Sequence, residues 1–133
     1  MLNRRNYLKA MAAALPAAQL ARGAAAAPPP IQLHCDLLLD PKREKEMLDN
    51  YRKVYLPTIS KQPGFVSVTL LKLRAEKQGK APSGCSYRLI ISFQTEELRL
   101  AWVARPEHQK AWPTVENTLR GVKYIALLYD PVA

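Results

Sequence analysis

The sequence predicts an α+β domain, a four-stranded antiparallel sheet with two helical regions on one face. Three observations carry this. Residues 31–39 alternate apolar and polar side chains as a half-buried strand does, while residues 41–61 and 95–119 repeat their apolar residues at helical spacing. The segments follow the order strand, helix, strand, strand, helix, strand, which is the split βαβ or ferredoxin-like plan.

The first strand, Ile31 to Leu39, places Ile31, Leu33, Cys35 and Leu37 on one face and Gln32, His34 and Asp36 on the other. It is expected to be central and to line a pocket with its polar face. Asp40 can cap the following helix and Pro41 suits its first position. Met47, Leu48, Tyr51, Val54 and Tyr55 form the apolar stripe of that helix, and Pro57 kinks or tightens its last turn. Gln62-Pro63-Gly64 then turns the chain.

A second strand is expected over Phe65 to Arg74, with Val66, Val68 and Leu70 on one face and Phe65, Ser67, Thr69 and Leu71 on the other. Residues 75–85 hold Gly79, Pro82 and Gly84 and read as an exposed loop. The third strand, Ser86 to Gln94, has an oily face of Tyr87, Leu89, Ile91 and Phe93 and a mixed face of Ser86, Arg88, Ile90 and Ser92. Thr95 caps the second helical region, and Glu96 and Glu97 complement its dipole. Leu98, Ala101 and Trp102 form its stripe, Pro106 breaks it, and helix continues to about Leu119 with Trp112, Val115 and Leu119 inward and Pro113 dividing it. The last strand runs from Val122 to Tyr129, with Ile125, Leu127 and Tyr129 against Val122, Tyr124, Ala126 and Leu128.

Residues 1–27 do not read as part of this domain. A basic start, a short alanine-rich middle interrupted by Pro16, and Ala24-Ala25-Ala26-Ala27 before Pro28 have the layout of an export signal, too short to span a bilayer as a helix. An amphipathic mitochondrial-type presequence is the alternative. Arg4-Arg5 followed by Tyr7-Leu8-Lys9 resembles the bacterial twin-arginine signal, which implies a mature domain over residues 28–133 that is periplasmic or secreted. The chain carries +9; Arg4, Arg5, Lys9 and Arg22 depart with the leader and no acid does, leaving +5. Much of that surplus lies in Lys72, Arg74, Lys77 and Lys80 at a hairpin tip, without the basic stripe and interleaved aromatics of a nucleic-acid binder. Cys35, mid-strand, and Cys85, at the start of a later strand, are out of register and are expected to remain free thiols. Two histidines and two cysteines without close spacing make no zinc site, so no metal is expected.

Both helical regions can cover only one sheet face. The other carries Leu38, Phe65, Leu71, Ile90 and Leu128 among polar groups, on a face of roughly 400 Å² from strand spacing and rise. A patch of that size calls for a cover. A second copy, sheet against sheet, is the simplest.

Pro63-Gly64-Phe65-Val66-Ser67-Val68, then Ile90-Ile91-Ser92-Phe93, then Trp102 through Pro106-Glu107-His108 to Trp112, resemble the dimeric α/β-barrel superfamily and, within it, the antibiotic-biosynthesis-monooxygenase-like domains. The resemblance covers residues 31–130. It implies a homodimer whose sheets face each other around a pocket. It also implies chemistry ranging from cofactor-free oxygenation of polyketide quinols to haem degradation and isomerase or lyase reactions.

On that expectation His34, Asp36, Ser67, Thr69, Arg88, Ser92 and Tyr124 point into the pocket. His34 can act as general base, Asp36 or Tyr124 can orient it, and Arg88 can hold the resulting anion. Ser67, Thr69, Ser92 and Tyr124 would line the ligand pocket. Each residue also has a plainer reading: a strand histidine near a carboxylate is often structural, Arg88 facing Asp36 is an inward salt bridge, and the serines and threonine are ordinary strand polars. His108 reads as a surface or capping residue, and Trp102 and Trp112 as core. Haem is a weaker fit, because the first strand carries His34 where haem-degrading relatives have asparagine, and Trp102 and His108 are too closely spaced. The expected protein is an exported enzyme of the cofactor-independent monooxygenase type acting on an aromatic or quinol-like substrate. The alternative is a non-catalytic dimeric module that binds a lipophilic or aromatic ligand.

Overall fold

A computed structural model describes residues 28–133, so the expected leader lies outside the described residues. Four strands, β1 (Ile31–Leu39), β2 (Phe65–Lys72), β3 (Tyr87–Phe93) and β4 (Leu119–Tyr129), form one antiparallel sheet in the order β2-β3-β1-β4. The first strand is central, between β3 and β4, as the sequence reading expects. The helical layer consists of α1 (Glu44–Asn50), α2 (Leu56–Ile59), α3 (Glu96–Val103) and α4 (Pro106–Glu116). This is the ferredoxin-like α+β arrangement.

The helices close over the oily faces of β1 and β3. Leu37, Met47, Ile59 and Phe93 have no exposed surface, and Cys35, Leu89, Trp102 and Val115 are nearly as enclosed. Burying a side chain of this size contributes about 1.5–3 kcal/mol. The expected caps are made: Asp40 accepts from the Lys42 amide, and Thr95 accepts from the Leu98 amide at the start of α3. Glu96 lies in the first turn of α3, where the helix dipole favours a carboxylate, and is paired with Arg99 at 2.7 Å.

The first helical region is not uniform. A short 3₁₀ turn at Pro41–Arg43 leads into α1, and a wide π-helical turn, Tyr51–Tyr55, separates α1 from α2. Pro57 lies just beyond that turn; it has no amide hydrogen to give to the preceding turn, and its ring crowds the carbonyl there. The wide turn turns both Tyr51 and Tyr55 into the core.

Several details depart from the sequence reading. The register of β2 slips at Val66, so Phe65 pairs with Phe93 and packs its ring edge-on against it at 6.0 Å. Phe65 therefore joins the helix-side core, whereas Val66 is 44% exposed. The second helical region breaks at Pro106 as expected, but α4 runs unbroken through Pro113, which sits in its last turn. It ends at Glu116, and β4 begins at Leu119 rather than Val122. Gly121, at φ +61°, takes up an irregularity in the β1–β4 pairing between Leu37 and Leu39. Leu128, expected on the open face, pairs with Leu33 and so lies on the helix side, and Ala101 is exposed. Among the described residues no helix is long and apolar enough to cross a membrane.

Candidate functional site

Pairing across the sheet sorts the open face into three rows. Ser67, Ser92, Gln32 and Tyr129 form the first, Thr69, Ile90, His34 and Leu127 the second, and Leu71, Arg88, Asp36 and Ile125 the third. Directly paired residues share a face, and neighbouring strands lie about 4.8 Å apart. His34 thus stands in the middle of the sheet, with Ile90 and Leu127 beside it and Asp36 one row away.

The His34 ring is held by two neighbours that composition alone did not single out. Nε2 lies 3.0 Å from Gln32 Oε1, and the Tyr129 ring packs edge-on at 4.8 Å. With the Gln32 carbonyl oxygen accepting, Nε2 carries the proton and Nδ1 is the basic nitrogen. Gln32 shares the polar face of β1 by simple alternation and could have been found from that; Tyr129 needed the pairing of β4. Partial burial and the Arg88 charge lower the His34 pKa below its ordinary value, against an opposing pull from Asp36. The imidazole is therefore held in its neutral, proton-accepting form near pH 7.

Asp36 does not orient this histidine. Its two carboxylate oxygens accept from Arg88 Nε at 2.8 Å and from the Arg88 terminal nitrogen Nη2 at 3.2 Å, a forked ion pair between register partners. The Asp36 side chain is 12% exposed and that of Arg88 47%. The guanidinium keeps an outward side that can meet a ligand anion, with its charge already shared.

The remaining expected pocket residues divide. Ser67 and Thr69 are exposed on β2 and belong to the open face, though Thr69 lies two strands, about 10 Å, from His34. Ser92 lies on the same face but is buried, its hydroxyl donating to the Ile31 carbonyl at 2.9 Å, so it ties β3 to β1 instead of presenting a free group. Tyr124 is a correction. It pairs with Leu37, whose side chain is wholly in the core, and its ring meets Trp112 of α4 edge-on at 5.4 Å. It stands under the sheet with the helices and cannot orient His34.

Beyond the third row the open face runs into a cleft of about 410 Å³ at the hairpin end, lined by Asp36, Arg88 and Leu71 and by residues of the loop that joins β2 to β3. Gly84 in that loop, at φ +78°, approaches the Leu38 side chain so closely that a Cβ would fall 2.1 Å from Leu38 Cδ1. The loop therefore packs on the end of β1 and walls the cleft.

Both thiols are free. Cys35 is buried on the helix side, where burial pushes its pKa up to about 11, and it behaves as a small apolar residue. Cys85 lies at the cleft wall, partly exposed. His108 is not simply a surface residue: it is half-buried, its ring edge-on to Trp102 at 4.8 Å, on the helix side and away from the open face. Among the described residues no cluster of three or more potential metal ligands occurs.

No protein-family model matches the chain, and no curated protein matches it. Solved structures share its fold. A dimeric ferredoxin-like protein of unknown function from Jannaschia superposes with a TM-score of 0.65 at 12% identity, over 77% of this chain and 99% of that one. A candidate antibiotic biosynthesis monooxygenase from Bordetella bronchiseptica gives 0.64 at 15% identity, over 79% and 99%. SnoaB, a cofactor-independent oxygenase from Streptomyces nogalater solved as a point mutant, gives 0.59 at 15% identity, over 77% and 92%. At these identities the likeness is one of fold.

Proposed function

We propose that the chain is a small-molecule enzyme of the cofactor-independent monooxygenase type, acting on an electron-rich aromatic or quinol-like substrate laid on the open face of the sheet. The observation that carries the reading is an imidazole fixed by Gln32 and Tyr129, one row from a half-exposed arginine on an otherwise apolar floor of Ile90, Ile125 and Leu127. His34 Nδ1 takes a proton from the activated ring position, and the outward side of Arg88 holds the oxyanion of the conjugated anion. Dioxygen adds to the carbanion carbon as a peroxide, which recovers the proton from His34. Loss of water from that hydroperoxide leaves a carbonyl, so one oxygen atom stays in the product and the other leaves as water with the carbon's two hydrogens. All four electrons come from the substrate, and the reaction calls on no further reductant.

The site as proposed is completed by a second copy. Ile125, Leu127 and Tyr129 are 42–49% exposed on a face that a facing sheet would cover, and a structurally similar Jannaschia protein is dimeric. We further propose, from the leader-like residues 1–27, that this homodimer works in the periplasm or outside the cell.

A specific observation favours the second reading, a non-catalytic dimeric binding module. The Asp36–Arg88 fork uses the carboxylate that would otherwise polarise the histidine, as a purely structural pair would. Oxygen uptake with a panel of anthrones and aromatic quinols, measured for the full chain and for His34→Ala, separates the two. The enzyme reading expects uptake that falls at least a hundredfold in the variant while binding of the same compounds is kept. Unchanged uptake in the variant refutes the base assignment, and binding without uptake across the panel establishes the binding module.

A further inference from the structure

We propose that the cleft at the hairpin end of the open face binds an anionic group, a carboxylate, sulfonate or phosphate, borne by the same aromatic ligand that covers His34. This names a ligand class for the site already described and rests on its reading as a small-molecule site. Lys72, Arg74, Lys80 and Arg88 line the cleft, and Asp36 is the one carboxylate that does. Lys72 is taken by Glu44 at 2.7 Å and Arg88 by Asp36, while Lys80 has only a long contact to Glu76 at 3.5 Å. Among the described residues Arg74 has no carboxylate partner. Arg74 is thus uncommitted, and Lys80 only loosely paired, where the cleft opens.

The same cleft has an apolar side. Leu71 and Leu73, 46% and 44% exposed, line it together with Pro82. A hydrated inorganic anion gains nothing from those leucines, and a neutral hydrocarbon gains nothing from the cations. A molecule with an apolar ring and one anionic substituent satisfies both. The spacing suits it: Asp36 is two residues along β1 from His34, a rise of about 7 Å. A fused bicyclic ring bridges the imidazole row and the cleft mouth.

The test compares two fluorescent probes with one aromatic skeleton, anilinonaphthalene sulfonate and its uncharged counterpart phenylnaphthylamine, titrated against the full chain at low and moderate salt. The proposal expects the sulfonate to bind about tenfold more tightly at low salt, the sum of two exposed cation contacts, with the ratio shrinking as salt is added. The double substitution Arg74→Gln with Lys80→Gln abolishes the preference and leaves the neutral probe's affinity unchanged, which also reports that the variant is folded. Equal affinities in the parent protein, or a preference that survives the double substitution, overturn the proposal. Should the double variant lose both probes, the parent's ratio and its salt dependence decide. Because the readout is binding, a protein that turns nothing over still answers the question, and a failed preference leaves the His34 assignment to its own turnover experiment.

Discussion

Replacing Arg88 with methionine asks how far the central strand depends on one charged row. The Asp36 side chain is 12% exposed, whereas the guanidinium that neutralises it is 47% exposed. Two unit charges about 4 Å apart attract by roughly 4 kcal/mol at an effective dielectric of about 20. Desolvation of the carboxylate cancels part of this, and water on the open side of the arginine screens more. Breaking a fully buried pair by removing one partner costs about 3–5 kcal/mol. With one partner half in water, Arg88→Met is expected to cost about 2 kcal/mol. Asp36→Asn should cost only about 1 kcal/mol, because a stranded arginine can turn outward and a stranded carboxylate in mid-strand cannot. The double variant should fall short of the sum of the single effects by about 1 kcal/mol. Urea unfolding followed by tryptophan fluorescence measures all three, at one fixed protein concentration because a dimer's stability depends on it. A coupling within about 0.3 kcal/mol of zero, or Asp36→Asn proving the costlier change, would refute the reasoning.

Three further outcomes are expected. His34 and His108 both have pKa values lowered by burial. At pH values above about 6.5 both are neutral folded and unfolded; below it the unfolded chain takes up protons that the fold resists, so stability falls with pH. An NMR titration of His34 should show its pKa rise in Arg88→Met and fall in Asp36→Asn, and the opposite order would show that Arg88 does not act on the ring. A thiol reagent should label Cys85 alone in the native protein and both cysteines in urea, since Cys35 is buried and its pKa is pushed up to about 11; rapid native labelling of Cys35 would contradict the packing. Three glycines with φ near +80° separate backbone strain from crowding when changed to alanine: Gly79 meets nothing within 4 Å, Gly84 meets the movable tip of Leu38, and Gly64 meets Leu98 Cβ at 2.8 Å. The cost should rise in that order from about 1 kcal/mol, and equal costs would mean that strain alone governs all three.

The open face was legible wherever the chain kept strict alternation. His34, Asp36, Arg88, Ser67 and Thr69 all stand where period-two reading of β1, β2 and β3 puts them. The order β2-β3-β1-β4, with β1 inside, is the one the split βαβ plan carries and was legible from the order of the elements rather than from any one strand. What failed did so where the backbone departs from its repeat. One extra residue at Val66 moved Phe65 into the core, and the irregular pairing around Gly121 decides which side Tyr124 takes. A bulge leaves almost no mark in composition, yet it reverses every assignment on one side of it. Pro113 misled in the other direction: a proline in the last turn removes one helical bond and the helix continues. Alternation put both Gln32 and Asp36 on the face of His34, two residues to either side; contact geometry then chose Gln32, because Asp36 is taken by Arg88.

The strand order has a kinetic side. The central strand is made before any other element of the sheet, but both of its neighbours are made later: β3 pairs with it only after residues 87–93 exist, and Tyr129 of β4 reaches Gln32 from 97 residues downstream. Until then, the segment that bears His34 is a ribbon with one apolar face and two unsatisfied edges, open to pairing with another chain. The sheet is complete only with the last strand, so the residues at the heart of the proposed site belong to the first strand made and are among the last to be enclosed.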